Sequence, residues 1–160
     1  MSHAATTGWA NSQIKLDLYS RPSGVLQSLP GERRVVLVTG GSGQVGKAIQ
    51  DEIERIPEDF KHKFKFIFLS TKDVDLTDPE QSKSVFSIHK PDYVINLATR
   101  VGGLYANVRN NESFWRENMA INKNVLQCSS DLDVIKCISC LSTCIFPDKI
   151  EYPLDETKVR

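Results

Sequence analysis

A strand, a glycine-rich turn and a helix follow one another without interruption in residues 35–46 and the stretch just beyond. The run Val35–Val38 is apolar and mostly β-branched, which predicts a strand buried in a parallel sheet. After the glycines, Val45, Ile49 and Ile53 recur at helical spacing. This order predicts the opening of a dinucleotide-binding βαβ unit, in which the phosphates lie at the positive N-terminal end of the helix.

The glycines have the spacing Gly-x-x-Gly-x-x-Gly, and each has an expected role. Gly40 would permit the tight turn, Gly43 would let backbone N–H groups approach a pyrophosphate, and Gly46 would let the helix pack closely on the strand. Glycine triplets also occur in ordinary turns, so the strand-to-helix context carries the prediction. The predicted cofactor cradle consists of Thr39, Gly40, Gly41, Ser42, Gly43, Gln44, Val45 and Gly46.

Length and charge narrow the class of protein. The chain has 160 residues, enough for one domain with a substantial core. Its 20 Lys and Arg residues balance its 20 Asp and Glu residues, which indicates neither a nucleic acid nor an anionic membrane as partner. No apolar run has the length of a membrane span, and the first ten residues lack the basic and apolar segments of a secretory signal. We therefore expect a cytoplasmic protein.

The start of the chain differs in character from the rest. Residues 1–31 are polar, contain several Gly and Pro residues and show no periodic apolar pattern. We expect a disordered extension there, followed by an NADP-binding domain over residues 32–160.

Four cysteines, at positions 128, 137, 140 and 144, lie close together in the sequence. Cys137-x-x-Cys140 has the spacing of a metal or redox site. However, the pair lies in an apolar run that reads as a strand, where residues three apart point to opposite faces. No second pair supplies the other ligands that zinc requires. We expect no metal, and reduced thiols in a cytosolic core.

The end of the second predicted strand bears on the choice of cofactor. Phe64–Leu69 reads as that strand, and Ser70, Thr71 and Lys72 follow it. An acidic residue at this point selects NAD through the ribose 2′-hydroxyl, whereas a basic group accommodates the 2′-phosphate of NADP. Lys72 therefore favours NADP; the alternative is a solvated lysine in a loop.

The remaining chain continues the alternation of strands and helices. Asp78-Pro79-Glu80-Gln81 has the pattern of a capped helix start, and the apolar segments Asp92–Ala98 and Val134–Leu141 read as strands. Between them a helix is expected at about Asn111–Ser129. Asn118 falls on its apolar face, where the amide is expected to tie neighbouring loops together rather than to act in catalysis. We predict an α/β fold, a Rossmann-type doubly wound sheet of five parallel strands in the order 3-2-1-4-5.

The last predicted strand leads into Ser142-Thr143-Cys144. Residues two apart on an extended backbone share a face, so Ser142 and Cys144 would point together into the cleft beside the nucleotide. A strand end with incidental small residues is the alternative.

Several of these motifs together resemble the extended short-chain dehydrogenases/reductases: Thr39–Gly46, Asp75-Leu76, Asn96-Leu97-Ala98 and a serine at the end of the last strand. Two stretches resemble, more narrowly, the GDP-L-fucose synthases of that group. One is Val101-Gly-Gly-Leu followed by Phe114-Trp-x-x-Asn118, and the other is residues 139–149. The resemblance covers about residues 33–157, and Thr99 departs from it where a small Ala is common.

The resemblance implies an NADP-dependent enzyme that converts GDP-4-keto-6-deoxy-D-mannose to GDP-L-fucose by C3/C5 epimerisation and C4 reduction. Ser142 matches the serine that hydrogen-bonds the C4 carbonyl, and Cys144 matches the acid/base cysteine. A thiol suits that role because its reference pKa of about 8.5 is easily tuned. The implied cofactor contacts beyond the cradle and Lys72 are Asp75, Leu76, Leu97, Ala98 and Val101.

One part of that family's machinery is not found in the sequence. Its members use a Tyr-x-x-x-Lys pair, and none of the tyrosines at 19, 93, 105 and 152 has a lysine four residues on. We therefore expect an amino-terminal part of such an enzyme, ending before the later strands and the substrate domain and inactive alone. Full-length members are expected to be homodimers. The alternatives are another NAD(P)-dependent nucleotide-sugar epimerase or dehydratase, and a non-catalytic NADP-binding or interaction module.

Overall fold

The computed structural model describes residues 33–142, 146–147, 149 and 152–158. The predicted disordered extension, residues 1–31, lies outside the described residues. The elements in chain order are β1 (Arg34–Thr39), α1 (Gln44–Arg55), α2 (Glu58–Lys61), β2 (Phe64–Leu69), α3 (Pro79–His89), β3 (Tyr93–Asn96), α4 (Leu104–Arg109), α5 (Asn111–Asp131), β4 (Lys136–Ser139) and a 3₁₀ turn (Glu156–Lys158). None of the helices within the described residues has the length and apolar character that crossing a membrane requires.

The strands form one parallel sheet in the order β2-β1-β3-β4. This confirms the predicted Rossmann-type α/β fold and the order of four of its five strands. The prediction of strand 3 of that order, at the edge of the sheet beyond β2, was wrong. Only residues 70–78 separate β2 from α3, and a parallel strand needs a crossover of a dozen residues or more. Those nine residues, all of them described, instead form turns in which Asp75 accepts hydrogen bonds from Thr77.

Side chains alternate between the two faces of this sheet. On one face, Leu37 and Val94 are fully buried in a cluster with Phe86 of α3 and Val125 of α5. We call this the covered face. Asn124 of α5 donates to the carbonyl oxygens of Leu76 and Thr77 at 2.9 and 3.1 Å, which ties α5 to the loop before α3.

The predicted start of α3 is confirmed in detail. Asp78 is the N-cap and accepts hydrogen bonds from the backbone N–H groups of Glu80 and Gln81. The Gln81 amide donates to Asp78 at 3.0 Å, and Pro79 occupies the first turn. These bonds lower the pKa of the Asp78 carboxyl, the Gln81 side chain contributing most.

Candidate nucleotide-binding site

The turn between β1 and α1 is so tight that it requires glycine at two positions. Gly40 has a φ of +69°, and a Cβ there would lie 2.8 Å from the carbonyl carbon of Leu97. A Cβ on Gly46 would lie 2.6 Å from the carbonyl oxygen of Gly41. Both contacts are with backbone, which cannot rotate away as a side chain can. The helix therefore begins directly against the turn, as the sequence predicted.

The N-terminus of α1 is left open to an anion. Its N-cap, Gly43, makes no side-chain capping bond, and the first turn contains no acidic residue. The first helical bond runs from the N–H of Lys47 to the carbonyl of Gly43, so the N–H groups of Gln44, Val45 and Gly46 precede the ladder. Those N–H groups and the helix dipole both favour negative charge, so the cradle fits a phosphate group.

A buried polar network lies beneath the turn. The Thr39 hydroxyl donates to Asn96 at 2.7 Å, and the Asn96 amide donates to Asn122 of α5 at 3.0 Å. The N–H of Ala98 donates to the Thr39 hydroxyl at 3.2 Å. The Thr39 side chain is thus fully buried and joins the carboxyl ends of β1 and β3. Any contact of Thr39 with a cofactor would come from its backbone.

The loop after β2 combines an anion and a cation. Both the backbone N–H and the hydroxyl of Ser70 donate to the Asp73 carboxylate, at 2.7 and 2.6 Å. These bonds lower the pKa of Asp73, the side-chain bond from Ser70 contributing most. Lys72 is exposed, and its backbone N–H donates to the Ser70 hydroxyl. The loop is therefore held in one shape, with a lysine at its tip.

The loop after β3 is fixed to α5 by Asn118. Its side-chain oxygen accepts from the Thr99 hydroxyl at 2.9 Å and from the Arg100 N–H at 2.7 Å. Its amide donates to the Arg100 carbonyl at 2.9 Å. Arg100 also forms an ion pair with Glu117 at 2.9 Å and lies over the ring of Phe114. The loop-tying role predicted for Asn118 is what the structure has.

The other predicted site residues fall into different environments. Asp75 is exposed, whereas Leu76 lies in the core of the covered face. Leu97 and Ala98 are half-buried beside Gly40, and Val101 is 76% exposed. The backbone at 97–98 thus lies directly against Gly40 of the cradle, whereas the side chain of Leu76 is buried in the core.

The residues predicted to carry the chemistry lie beyond β4. Ser142 is exposed, three residues after the strand ends, at the same edge of the sheet as the cradle. Cys144 lies outside the described residues, so its predicted alignment with Ser142 stays a prediction. Of the described cysteines, Cys128 and Cys137 contact the covered-face core and Cys140 is exposed. Burial raises the pKa of the Cys128 thiol.

The similarity of the chain to known proteins shows its family. Residues 36–159 match the model of the NAD dependent epimerase/dehydratase family. The chain belongs to that family. It is 50% identical over 127 residues to the GDP-L-fucose synthase of Dictyostelium discoideum, covering 79% of this chain and 39% of that protein. It is also 50% identical over 125 residues to a probable GDP-L-fucose synthase of Drosophila melanogaster, covering 78% of this chain and 38% of that protein.

A solved structure is also similar to this chain. The GDP-L-fucose synthetase from Naegleria fowleri bound to NADP has a TM-score of 0.67 and 44% identity, over 82% of this chain and 37% of that one. The chain thus spans less than two fifths of the length of these relatives.

Sequence reasoning missed the network of Thr39, Asn96 and Asn122. Thr39 and Asn96 are each the last residue of a strand, and they are paired across the sheet. A polar residue ending each of two apolar strands was the available signal. Asn122 follows Asn118 by four residues on α5, so its place on the same face of the helix was a further signal.

Proposed function

We propose that this chain binds NADP(H) in the cleft formed by the glycine turn, the Ser70–Asp73 loop and the backbone at 97–98. Two features of the turn carry the proposal. A Cβ added to Gly40 or Gly46 would overlap neighbouring backbone atoms, and three backbone N–H groups at the start of α1 precede its first helical hydrogen bond. Lys72 would pair with the 2′-phosphate. The NADP in the Naegleria fowleri structure supports this choice of cofactor.

We further propose that the whole protein of which this domain is a part converts GDP-4-keto-6-deoxy-D-mannose to GDP-L-fucose. Identity of 50% to a GDP-L-fucose synthase and to a probable GDP-L-fucose synthase supports this product. Ser142 would hydrogen-bond the C4 carbonyl, which acidifies the protons at C3 and C5. Cys144 would remove and return those protons, since a thiol ionises more readily than the other uncharged side chains with a hydroxyl or thiol group. Bound NADPH supplies the hydride that reduces C4.

The reduction also needs a proton donor that this sequence does not supply as Tyr-x-x-x-Lys. General acid catalysis contributes about 10²–10⁴-fold, so the 160 residues alone should turn over no substrate at a useful rate. The missing Tyr-x-x-x-Lys pair favours a second candidate function, that of a non-catalytic NADP-binding module. Turnover by the isolated chain would exclude the second candidate.

Two further features belong to this proposal. Trp115, Met119 and Leu126 form an exposed apolar stripe on α5, which would pair two copies in a homodimer of the whole protein. Light scattering of that protein with Met119→Lys would test it, because a monomer is then expected.

A cytoplasmic location agrees with three described cysteines that form no disulfide, Cys128, Cys137 and Cys140.

Cofactor choice is tested by titrating NADPH and NADH into the wild-type chain and Lys72→Ala. Wild type should bind NADPH more tightly, and the substitution should weaken NADPH roughly tenfold while leaving NADH unchanged, because it removes a charge-assisted hydrogen bond. Lys123→Ala, an exposed lysine on α5, is the control. Equal affinities of the wild type for both cofactors would contradict the choice.

The acid/base role is tested in a chimera in which residues 33–160 replace the matching part of the Dictyostelium discoideum synthase. Cys144→Ser should abolish solvent deuterium exchange at C3 and C5, since a hydroxyl is a far weaker acid than a thiol. Cys140→Ser, an exposed thiol nearby in sequence, should leave exchange intact. Undiminished exchange with Cys144→Ser would rule out this role.

A further inference from the structure

The carbonyl oxygen of Gly41 lies at the point where the glycine turn meets α1. A Cβ added to Gly46 would lie 2.6 Å from this oxygen, so the helix packs directly on it. On the other side, Gly41 is buried against Phe68 of β2. A carbonyl oxygen in such a place needs a hydrogen-bond donor, because it has little access to water.

The side chain of Gln50, in the second turn of α1, supplies that donor. Its amide nitrogen Nε2 donates to the Gly41 carbonyl oxygen at 2.8 Å and approaches the Gly46 carbonyl oxygen at 3.4 Å. In the part of the chain that the structure describes, no backbone N–H outside the helical ladder donates to the Gly41 oxygen. The half-buried Gln50 side chain therefore links the glycine turn to the first turn of α1.

The N–H groups that would meet the phosphates belong to the stretch that this link holds. Those of Gln44, Val45 and Gly46 lie between the turn and the first helical hydrogen bond. Donors that are already held in place bind an anion better, because binding then costs less conformational entropy. Without the Gln50 amide, the Gly41 carbonyl oxygen would lose its partner, and the turn would have to relax to expose that oxygen to water.

We propose that Gln50 is a positioning residue for the pyrophosphate of the cofactor. It acts through the Gly41 carbonyl, by holding the turn against α1, and not by contact with the cofactor. This inference rests on the proposed function, the binding of NADP(H) in this cleft. Because NADPH and NADH share the pyrophosphate, Gln50 supports the binding of both equally. In that respect it differs from Lys72, which would pair with the 2′-phosphate of NADPH alone.

Titrations of NADPH and NADH into the full 160-residue chain test the proposal. Gln50→Met keeps the length of the side chain and removes the donor. It should weaken the binding of both cofactors about three- to tenfold, the effect of one lost hydrogen bond, and leave the ratio of the two affinities unchanged. Gln127→Met is the matched control on α5, where the exposed amide donates to Asp131, and it should change neither affinity.

A third variant separates positioning from a contribution to folding alone. Gln50→His carries an N–H donor at about the same distance from the backbone, and at pH 8 it is uncharged because the reference pKa of histidine is about 6.5. It should recover most of the affinity that Gln50→Met loses. Thermal unfolding of each variant without cofactor checks that it is folded.

The outcomes distinguish this inference from the proposed function. If the wild-type chain binds neither cofactor, the proposed function is wrong and the inference is overturned with it. If wild type binds NADPH and Gln50→Met binds both cofactors equally well, the inference alone is overturned. A loss confined to NADPH, or a folded Gln50→His that recovers no affinity, would also overturn the inference and leave the proposed function standing.

Discussion

The two faces of the sheet are built from the same four strands, yet only one of them is a finished core. On the covered face, Leu37 and Val94 are fully buried beneath α3 and α5. On the other face, which we call the open face, Val38 of β1 is fully buried too, but its neighbour Ile95 of β3 is only half-buried and Ile138 of β4 is 48% exposed, although all are equally apolar. Strand composition therefore does not decide which face is buried. The helices that follow the strands decide it, because α3 and α5 both pack on one side.

The largest contrast between the faces is in stability. Phe86→Ala removes a fully buried ring from the covered face and should lower the free energy of unfolding by about 3–5 kcal/mol. Ile138→Ala removes a half-exposed side chain from the open face and should cost about 1 kcal/mol or less. Urea denaturation of the isolated chain measures both. Similar losses at the two positions would mean that the open face is covered in solution.

This contrast also separates what the sequence could predict from what it could not. The glycine turn and the Asp78 cap depend on neighbouring residues, so their patterns are local and both predictions are confirmed. The buried runs of β1 to β4 were equally visible, because parallel strands are apolar on both faces. For the same reason, Phe64, Phe66 and Phe68 gave no sign that their face lacks a complete cover.

The predictions were wrong or incomplete where contacts between residues distant in the sequence determine the structure. A strand beyond β2 was expected from the fold class, but the nine residues 70–78 cannot make the required crossover. The Thr39–Asn96–Asn122 network joins positions that are 57 and 26 residues apart in the chain. Such contacts follow from strand order and helix placement, which a single sequence does not encode as a local pattern.

The glycine turn, which packs on Phe68 of the open face, gives a smaller and more local test of the comparison. Gly46→Ala places a Cβ 2.6 Å from the Gly41 carbonyl oxygen, so α1 must shift away from the turn. We expect about tenfold weaker NADPH binding by titration, with the covered-face core retained. Gly103→Ala is the control, because nothing lies within 4 Å of the added Cβ. Unchanged affinity for Gly46→Ala would separate the close packing of α1 from nucleotide binding.

The smallest expected effect is the pH dependence of the cap that starts α3, one of the two helices that pack on the covered face. Hydrogen bonds from Gln81 and from the backbone of Glu80 lower the pKa of Asp78 below its ordinary value of 3.8. A carboxyl whose pKa is lowered by folding stabilises the fold above its unfolded pKa and loses that contribution as pH falls through the folded pKa. Asp78→Asn keeps a capping oxygen but cannot ionise, so its stability should change less with pH below about 4. Thermal unfolding of both proteins between pH 6 and pH 3 measures the difference, with Asp131→Asn, near the end of α5, as control. Parallel curves for wild type and Asp78→Asn would show that the cap acts through hydrogen bonding alone.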